Sequence, residues 1–178
     1  MIDAINDFEF AGSDKLLAHA RPAASRLAHL KQAAKSARMP VIYVNDNFGR
    51  WQSTFHDQIE RCSSTNCPGH PVASLLRPDN DDYFVLKPMH SGFYSTSLDV
   101  LLRFLKVRTL ILTGFAGDIC VLYTANDAYM RGYELIVVHD CIASESLAGN
   151  RDAIKHMESR LKARSIASRT LAGYLREA

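Results

Sequence analysis

The sequence lacks long apolar runs, a charge surplus of one sign and a dense set of cysteines, and each lack excludes something. None of its hydrophobic stretches approaches the roughly 20 residues that a membrane-spanning helix needs, so no membrane partner is expected. Lys+Arg 21 against Asp+Glu 19 leaves a net charge of +2, too little for a nucleic-acid-binding footprint. Four cysteines, Cys62, Cys67, Cys120 and Cys141, are too sparse for a disulfide scaffold and fit a reducing compartment. Met1-Ile2-Asp3 carries acid where a signal peptide would have a basic segment and an apolar core, so a cytoplasmic location is expected. Aromatics at 9%, nine glycines and six prolines exclude disordered and collagen-like compositions. What remains is an ordinary globular chain of 178 residues, read as one domain over 1–178. A chain of that size buries roughly 70% of its unfolded surface without staples.

Apolar periodicity alternates between two kinds along the chain. Leu16, Leu17, Ala20, Ala24, Leu27 and Ala34 recur at spacings of three and four over 14–38, an amphipathic helix that Ser13 or Asp14 can cap. Pro40 then imposes an extended backbone ahead of the β-branched run 41–44. Further strands are predicted at 83–86, 109–113 and 134–138, and helices around Leu98–Leu105, over 118–131 and near 150–163. Gly132 sits where a helix C-terminal glycine belongs. Residues 48–80, rich in Pro, Gly and Ser, read as a long excursion over one rim. Strand–helix alternation implies right-handed crossovers and a parallel sheet covered on both faces. Only two residues precede Asp3, so the first strand is expected to be very short, or the chain to start downstream of its natural beginning.

Ligands of parallel sheets bind beyond the carboxyl ends of the strands. Three such ends carry a reactive residue: Asp3, Lys87 and Cys120. Cys120 falls near the start of the helix that Asp118 would cap, where amides and the helix dipole lower a thiol pKa. A carboxylate to take the thiol proton and an ammonium to hold the thiolate complete a nucleophilic set. Each residue also has a plain structural reading. A cysteine in such a turn is more often a small buried side chain, Asp3 can cap a turn, and Lys87 can be a solvated strand end.

Three segments decide between these readings. Ile2-Asp3-Ala4-Ile5-Asn6-Asp7-Phe8, Leu86-Lys87-Pro88-Met89-His90-Ser91-Gly92-Phe93 and Thr113-Gly114-Phe115-Ala116-Gly117-Asp118-Ile119-Cys120-Val121 follow in that order. Together they resemble the isochorismatase-like cysteine hydrolases, the superfamily of nicotinamidases and N-carbamoylsarcosine amidohydrolases. The resemblance runs from Ile2 to about Ser146. It implies a three-layer α/β/α sandwich around a mostly parallel, six-stranded Rossmann-like sheet. It implies a catalytic Asp3–Lys87–Cys120 triad, a cis peptide at Phe115–Ala116, and an oxyanion hole formed by the Ala116 and Cys120 N–H groups. The implied reaction is hydrolysis of a small amide, carbamoyl or ureido C–N bond through a thioester. It implies a homo-oligomer whose partner is otherwise only a small-molecule substrate.

Departures from the family pattern narrow the reading. Nicotinamidases hold a metal through an Asp and several His after the second strand. Asp46 fits the acidic position, but Phe48 stands where the next histidine belongs, with only His56 and His70 nearby. No metal and no cofactor are therefore expected, and nicotinamidase activity is the lesser alternative. True isochorismatases cleave a vinyl ether without a cysteine nucleophile, which the presence of Cys120 disfavours. A non-catalytic binding member would not need the Lys–Cys pair. The usual Gln of the first motif is Ile5, and Asn45, Phe48, Trp51, Phe93 and Tyr94 are expected to line an apolar, partly aromatic substrate pocket. Trp51 and Tyr94 serve equally well in packing against a second subunit. His90 can donate to a substrate or sit at the surface, the surface being the preferred reading, and Lys155, Arg160, Lys162 and Arg164 are placed on a solvated helix face.

Overall fold

In the computed structural model, which describes residues 1–177, the spacing of Leu16, Ala20, Ala24 and Leu27 yields helix α1 (Ser13–Ser36) with these residues buried along one side. Gly12, left-handed at φ 82°, occupies its N-cap, so neither Ser13 nor Asp14 caps it with a side chain. After Pro40 comes β1 (Ile42–Asp46). The excursion 48–80 is less irregular than its composition predicts, since it holds α2 (Phe55–Cys62) and the short α3 (His70–Ala73). A capping box between Thr54 and Asp57 starts α2. There follow β2 (Tyr83–Lys87), α4 (Leu98–Phe104), β3 (Thr109–Phe115), a π-helical turn (Gly117–Val121) and α5 (Leu122–Met130). The chain ends in β4 (Glu134–Ala143), α6 (Leu147–Leu161), β5 (Arg164–Ile166) and α7 (Ser168–Glu177). Asp140 fixes the start of α7 by accepting from the Ser168 N–H and hydroxyl, both at 2.8 Å. Arg164 lies in β5, not on a basic helix face.

All strand pairs are parallel, β1 with β2, and β3 with β4, which pairs in turn with β5. Successive strand residues point to opposite faces. Tyr43, Ile136 and Val138 therefore join the apolar layer under α1 and α7, while Val44, Leu135 and Val137 join the layer under α4, α5 and α6. Among the described residues the six-stranded sheet expected from the sequence does not form; five strands do, as a pair and a triplet. Of the first segment only Ile2 has sheet pairing, with bridges to Val44 on one side and Gly114 on the other. Beyond Ile2 the two halves part around a cavity of about 160 Å³ lined in part by Met1, Leu30, Ile42, Leu98 and Leu110.

Ile2 therefore carries the seam between the halves. Its N–H donates to Thr113 O at 2.8 Å and its carbonyl accepts from Phe115 N–H at 2.9 Å. Gly114 permits this approach, because a Cβ there would stand 2.0 Å from the Ile2 carbonyl oxygen, and its φ is +114°. Gly114→Ala is expected to destabilise the protein by at least about 2 kcal/mol, read as a lowered Tm. An unchanged Tm would contradict the close approach.

Candidate active site

Three strand ends converge, as the parallel topology requires. The β1–β2 register places Asp46 directly beside Lys87. The bridge of Ile2 to Val44 and Gly114 sets Asp3 next to both β1 and β3. The register shift between Leu112 and Gly114 leads β3 into the turn that carries Cys120. Asp3 has φ 45°, its N–H donates to Val44 O at 2.9 Å, and its Oδ1 accepts from Asp46 N–H at 2.6 Å.

Lys87 is the hub. Its side chain is 0% exposed, and its Nζ lies 3.0 Å from Asp3 Oδ2, 3.3 Å from Asp46 Oδ2, 3.2 Å from the Met89 carbonyl and 3.5 Å from Cys120 Sγ. Burial pulls the ammonium pKa down, yet the negative charge of Asp3 and Asp46, joined by Cys120 once it is ionised, outweighs burial and holds it above the usual lysine value. Burial raises Asp3 above the usual carboxylate range against the pull of Lys87 and of hydrogen bonds from Cys120, Lys87 and Asp46. The Cys120 thiol is also raised, by burial and then by Asp3, with Lys87 opposing. The expectation of a thiol acidified by a helix start is thus reversed. Cys120 lies within the π-helical turn, whose start carries no side-chain cap, and the Asp118 N–H donates to Ser144 Oγ at 3.1 Å. The resting site holds a thiol beside a carboxylate that is a stronger base than usual, a pairing suited to proton transfer on demand.

Cys120 is partly exposed, whereas Cys62, Cys67 and Cys141 are buried. His90 is exposed, with Nδ1 4.0 Å from the Cys120 sulfur and its ring 5.5 Å from that of Tyr123. It stands at the surface, as expected, and faces the thiol. The Ala116 carbonyl accepts from Ile119 and Val121 N–H, and the Phe115–Ala116 peptide is cis.

Of the five residues expected to line a pocket, Asn45 and Phe93 are buried, Phe48 is half-buried, and Trp51 and Tyr94 are exposed. Asn45 is fully buried, its side-chain amide donating to the Ile5 carbonyl at 2.7 Å. Phe93 lies in the core, 6.0 Å from the Tyr133 ring with the Arg131 guanidinium over it. An apolar ring on a strand-flanking loop is drawn into the nearest core because burial outweighs exposure at a cleft. The Ile5 side chain belongs to the core, and its carbonyl also accepts from Gln58, which donates to the Asp46 carbonyl as well. Sequence reasoning assigned Asp46 only to a metal position and missed it as the second carboxylate on Lys87. Its signal was its place at the end of the strand neighbouring β2.

Residues 1–168 match the Isochorismatase domain family. The chain belongs to that family. An uncharacterized isochorismatase family protein of Bacillus subtilis (strain 168), YaaI, is 42% identical over 159 residues, spanning 89% of this chain and 87% of the relative. The N-carbamoylsarcosine amidase of Thermoplasma acidophilum superposes with a TM-score of 0.70 at 28% identity, covering 94% of this chain and 93% of that one. The pyrazinamidase/nicotinamidase of Streptococcus mutans UA159 gives a TM-score of 0.73 at 27% identity, covering 93% and 97%.

The groups that would hold a nicotinamidase-type metal in this family member do not fit one. Asp46 is engaged by Lys87 and by the Phe48 N–H at 2.7 Å, His56 pairs with Glu60 at 3.3 Å, and His70 Nδ1 lies 2.7 Å from the Ser63 carbonyl. Among the described residues, Asp79, Asp81 and Asp82 bring ligand atoms together, but each is already ion-paired with Lys31 or Lys35.

Replacing the hub tests the electrostatic account. A lysine whose pKa is raised on folding stabilises the fold at every pH below its ordinary value, and the contribution is lost only as pH rises through the folded value. Lys87→Met is expected to lower stability by about 3–5 kcal/mol at pH 8 by leaving a buried carboxylate unpaired. The deficit should shrink toward pH 4 as Asp3 takes up a proton, read by denaturant unfolding at the two pH values. A deficit independent of pH would contradict the charge pairing.

Proposed function

We propose that this isochorismatase-family hydrolase cleaves the C–N bond of a small amide, carbamoyl or ureido compound through a thioester on Cys120, within a single domain. The observation that carries the reading is the Lys87 ammonium held 3.0 Å from the Asp3 carboxylate and 3.5 Å from the Cys120 sulfur. Asp3 takes the thiol proton, Lys87 steadies the thiolate, and sulfur attacks the carbonyl carbon. The N–H groups of Ala116 and Cys120, in the turn that carries the sulfur, take the oxyanion. Asp3 returns its proton to the departing nitrogen, then draws one from water, whose oxygen displaces sulfur. The sum for a primary carboxamide is amide plus water to acid plus ammonia, with thiol and carboxylate restored.

N-carbamoylsarcosine and nicotinamide, which name the two structural relatives' reactions, share a terminal –C(=O)NH2 group. We assign ammonia as the leaving group on that ground. A nicotinamidase-type reaction is the second reading, favoured by the likeness to the streptococcal enzyme and weakened by the engagement of Asp46, His56 and His70 elsewhere. A cytoplasmic location is supported by four unpaired cysteines, and no described helix is long and apolar enough to cross a membrane. Self-association is supported by the exposure of Val100, Phe104 and Met130.

Ammonia release across N-carbamoyl amino acids, ureido acids and aliphatic and aromatic carboxamides tests the reading. Turnover is expected for a member of the panel, with Cys120→Ala lowering it by at least about 10³-fold, the scale at which losing a nucleophile acts. Turnover retained in Cys120→Ala would sink the proposal, and turnover confined to nicotinamide would favour the second reading.

A further inference from the structure

We propose that Asp46 is a positioning residue for the reaction, whose charge holds the Lys87 ammonium and sets the proton affinity of the Asp3–Cys120 pair. The inference rests on the cysteine-hydrolase reading above. Four acceptors surround the Lys87 Nζ: Asp3, Asp46, the Met89 carbonyl and the Cys120 sulfur. An ammonium has three protons. Four acceptors therefore share three protons, and a thiolate at Cys120 draws a larger share of them away from the oxygens.

Asp46 is the partner built to yield. The Asp3 side chain is 5% exposed and the Met89 carbonyl belongs to the backbone, whereas the Asp46 side chain is 26% exposed and can exchange the ammonium for water. The Phe48 N–H holds Asp46 Oδ1 meanwhile, so the carboxylate stays in place when Lys87 turns to sulfur.

The charge count gives the direction of the effect. Asp3, Asp46 and Lys87 sum to one negative charge when Cys120 is protonated. The second carboxylate penalises every further loss of a proton from the Asp3–Cys120 pair. The other ionisable groups around the pair do not reverse this. The Met1 amine is pushed down to about 5 by burial and is neutral through the working range. His90 stands 4.0 Å from the sulfur beside the Tyr123 ring, and the Asp118 carboxylate lies against Gly149 on α6.

The test is the pH dependence of iodoacetamide alkylation at Cys120, located by peptide mass, alongside that of hydrolysis. Asp46→Asn, which keeps the shape and the acceptor for Phe48, and Asp46→Ser both remove the charge. In either, the alkylation profile and both limbs of the hydrolysis profile are expected to move to lower pH by about one unit, the scale of losing one nearby like charge. Asp46→Glu should restore the original limbs. Lowered rates with unmoved limbs would mean a merely structural Asp46 and would overturn the inference alone. A wild-type Cys120 alkylated no faster than Cys62, Cys67 and Cys141 would overturn the hydrolase reading together with it.

Discussion

A lysine side chain with no exposed surface is the constraint around which the active end of this protein is arranged. An ammonium taken from water loses several kcal/mol of hydration, which only close, well-oriented partners offset. The fold delivers them from separate segments: Asp3 from the seam, Asp46 from the end of β1, the Met89 carbonyl from the loop after β2, and the Cys120 sulfur from the turn after β3. Except for the Met89 carbonyl, two residues further along, none of these groups reaches Lys87 by local folding. Parallel register brings them together, because it stacks the carboxyl ends of neighbouring strands at one edge. The Ile2 bridges and the open backbone at Gly114 accordingly fix the place of Asp3 beside Lys87.

The electrostatics that follow differ from the usual picture of an activated cysteine. A helix start or a lone cation would favour a standing thiolate. Here two carboxylates share one ammonium, and a third negative charge is unwelcome until a proton has moved. Burial and the Asp3 charge keep the thiol protonated, and burial makes Asp3 a better acceptor. In the proposed reaction, sulfur and carboxylate exchange one proton without changing the charge of the site. Such an internal transfer avoids the solvation penalty of creating an ion in a dry cleft.

Much of this was legible in the sequence, and the rest was hidden for physical reasons. The periodicity of Leu16 through Leu27 located α1, and β-branched runs located β1 and β3, because apolar spacing reports directly on burial. Asp3, Lys87 and Cys120 were identifiable from motif order, and they do meet. The resting state of the thiol was not, since it depends on how many charges share the ammonium. Asp46 was set aside because its significance lies in the β1–β2 register, which no local pattern encodes. The six-stranded sheet was overdrawn because sheet continuity depends on pairing of the segment at Ile2, a single residue long here. The burial of Phe93 and Asn45 was not legible for the converse reason: a side chain beside a strand end can turn to the cleft or to the core, and tertiary packing decides. Helix α2 escaped notice among turn residues, although Thr54 and Asp57 carried its capping box.

The most direct test of the central claim is observation of the Lys87 side-chain nitrogen itself. In a sample labelled with ¹⁵N lysine and assigned with Lys87→Met, the account requires a charged, slowly exchanging –NH3⁺ signal at Lys87. It requires that signal to persist above the ordinary lysine value of 10.5. A Lys87 amine that loses its proton below that value would mean that burial prevails over the two carboxylates, and the charge arrangement described for this site would be wrong.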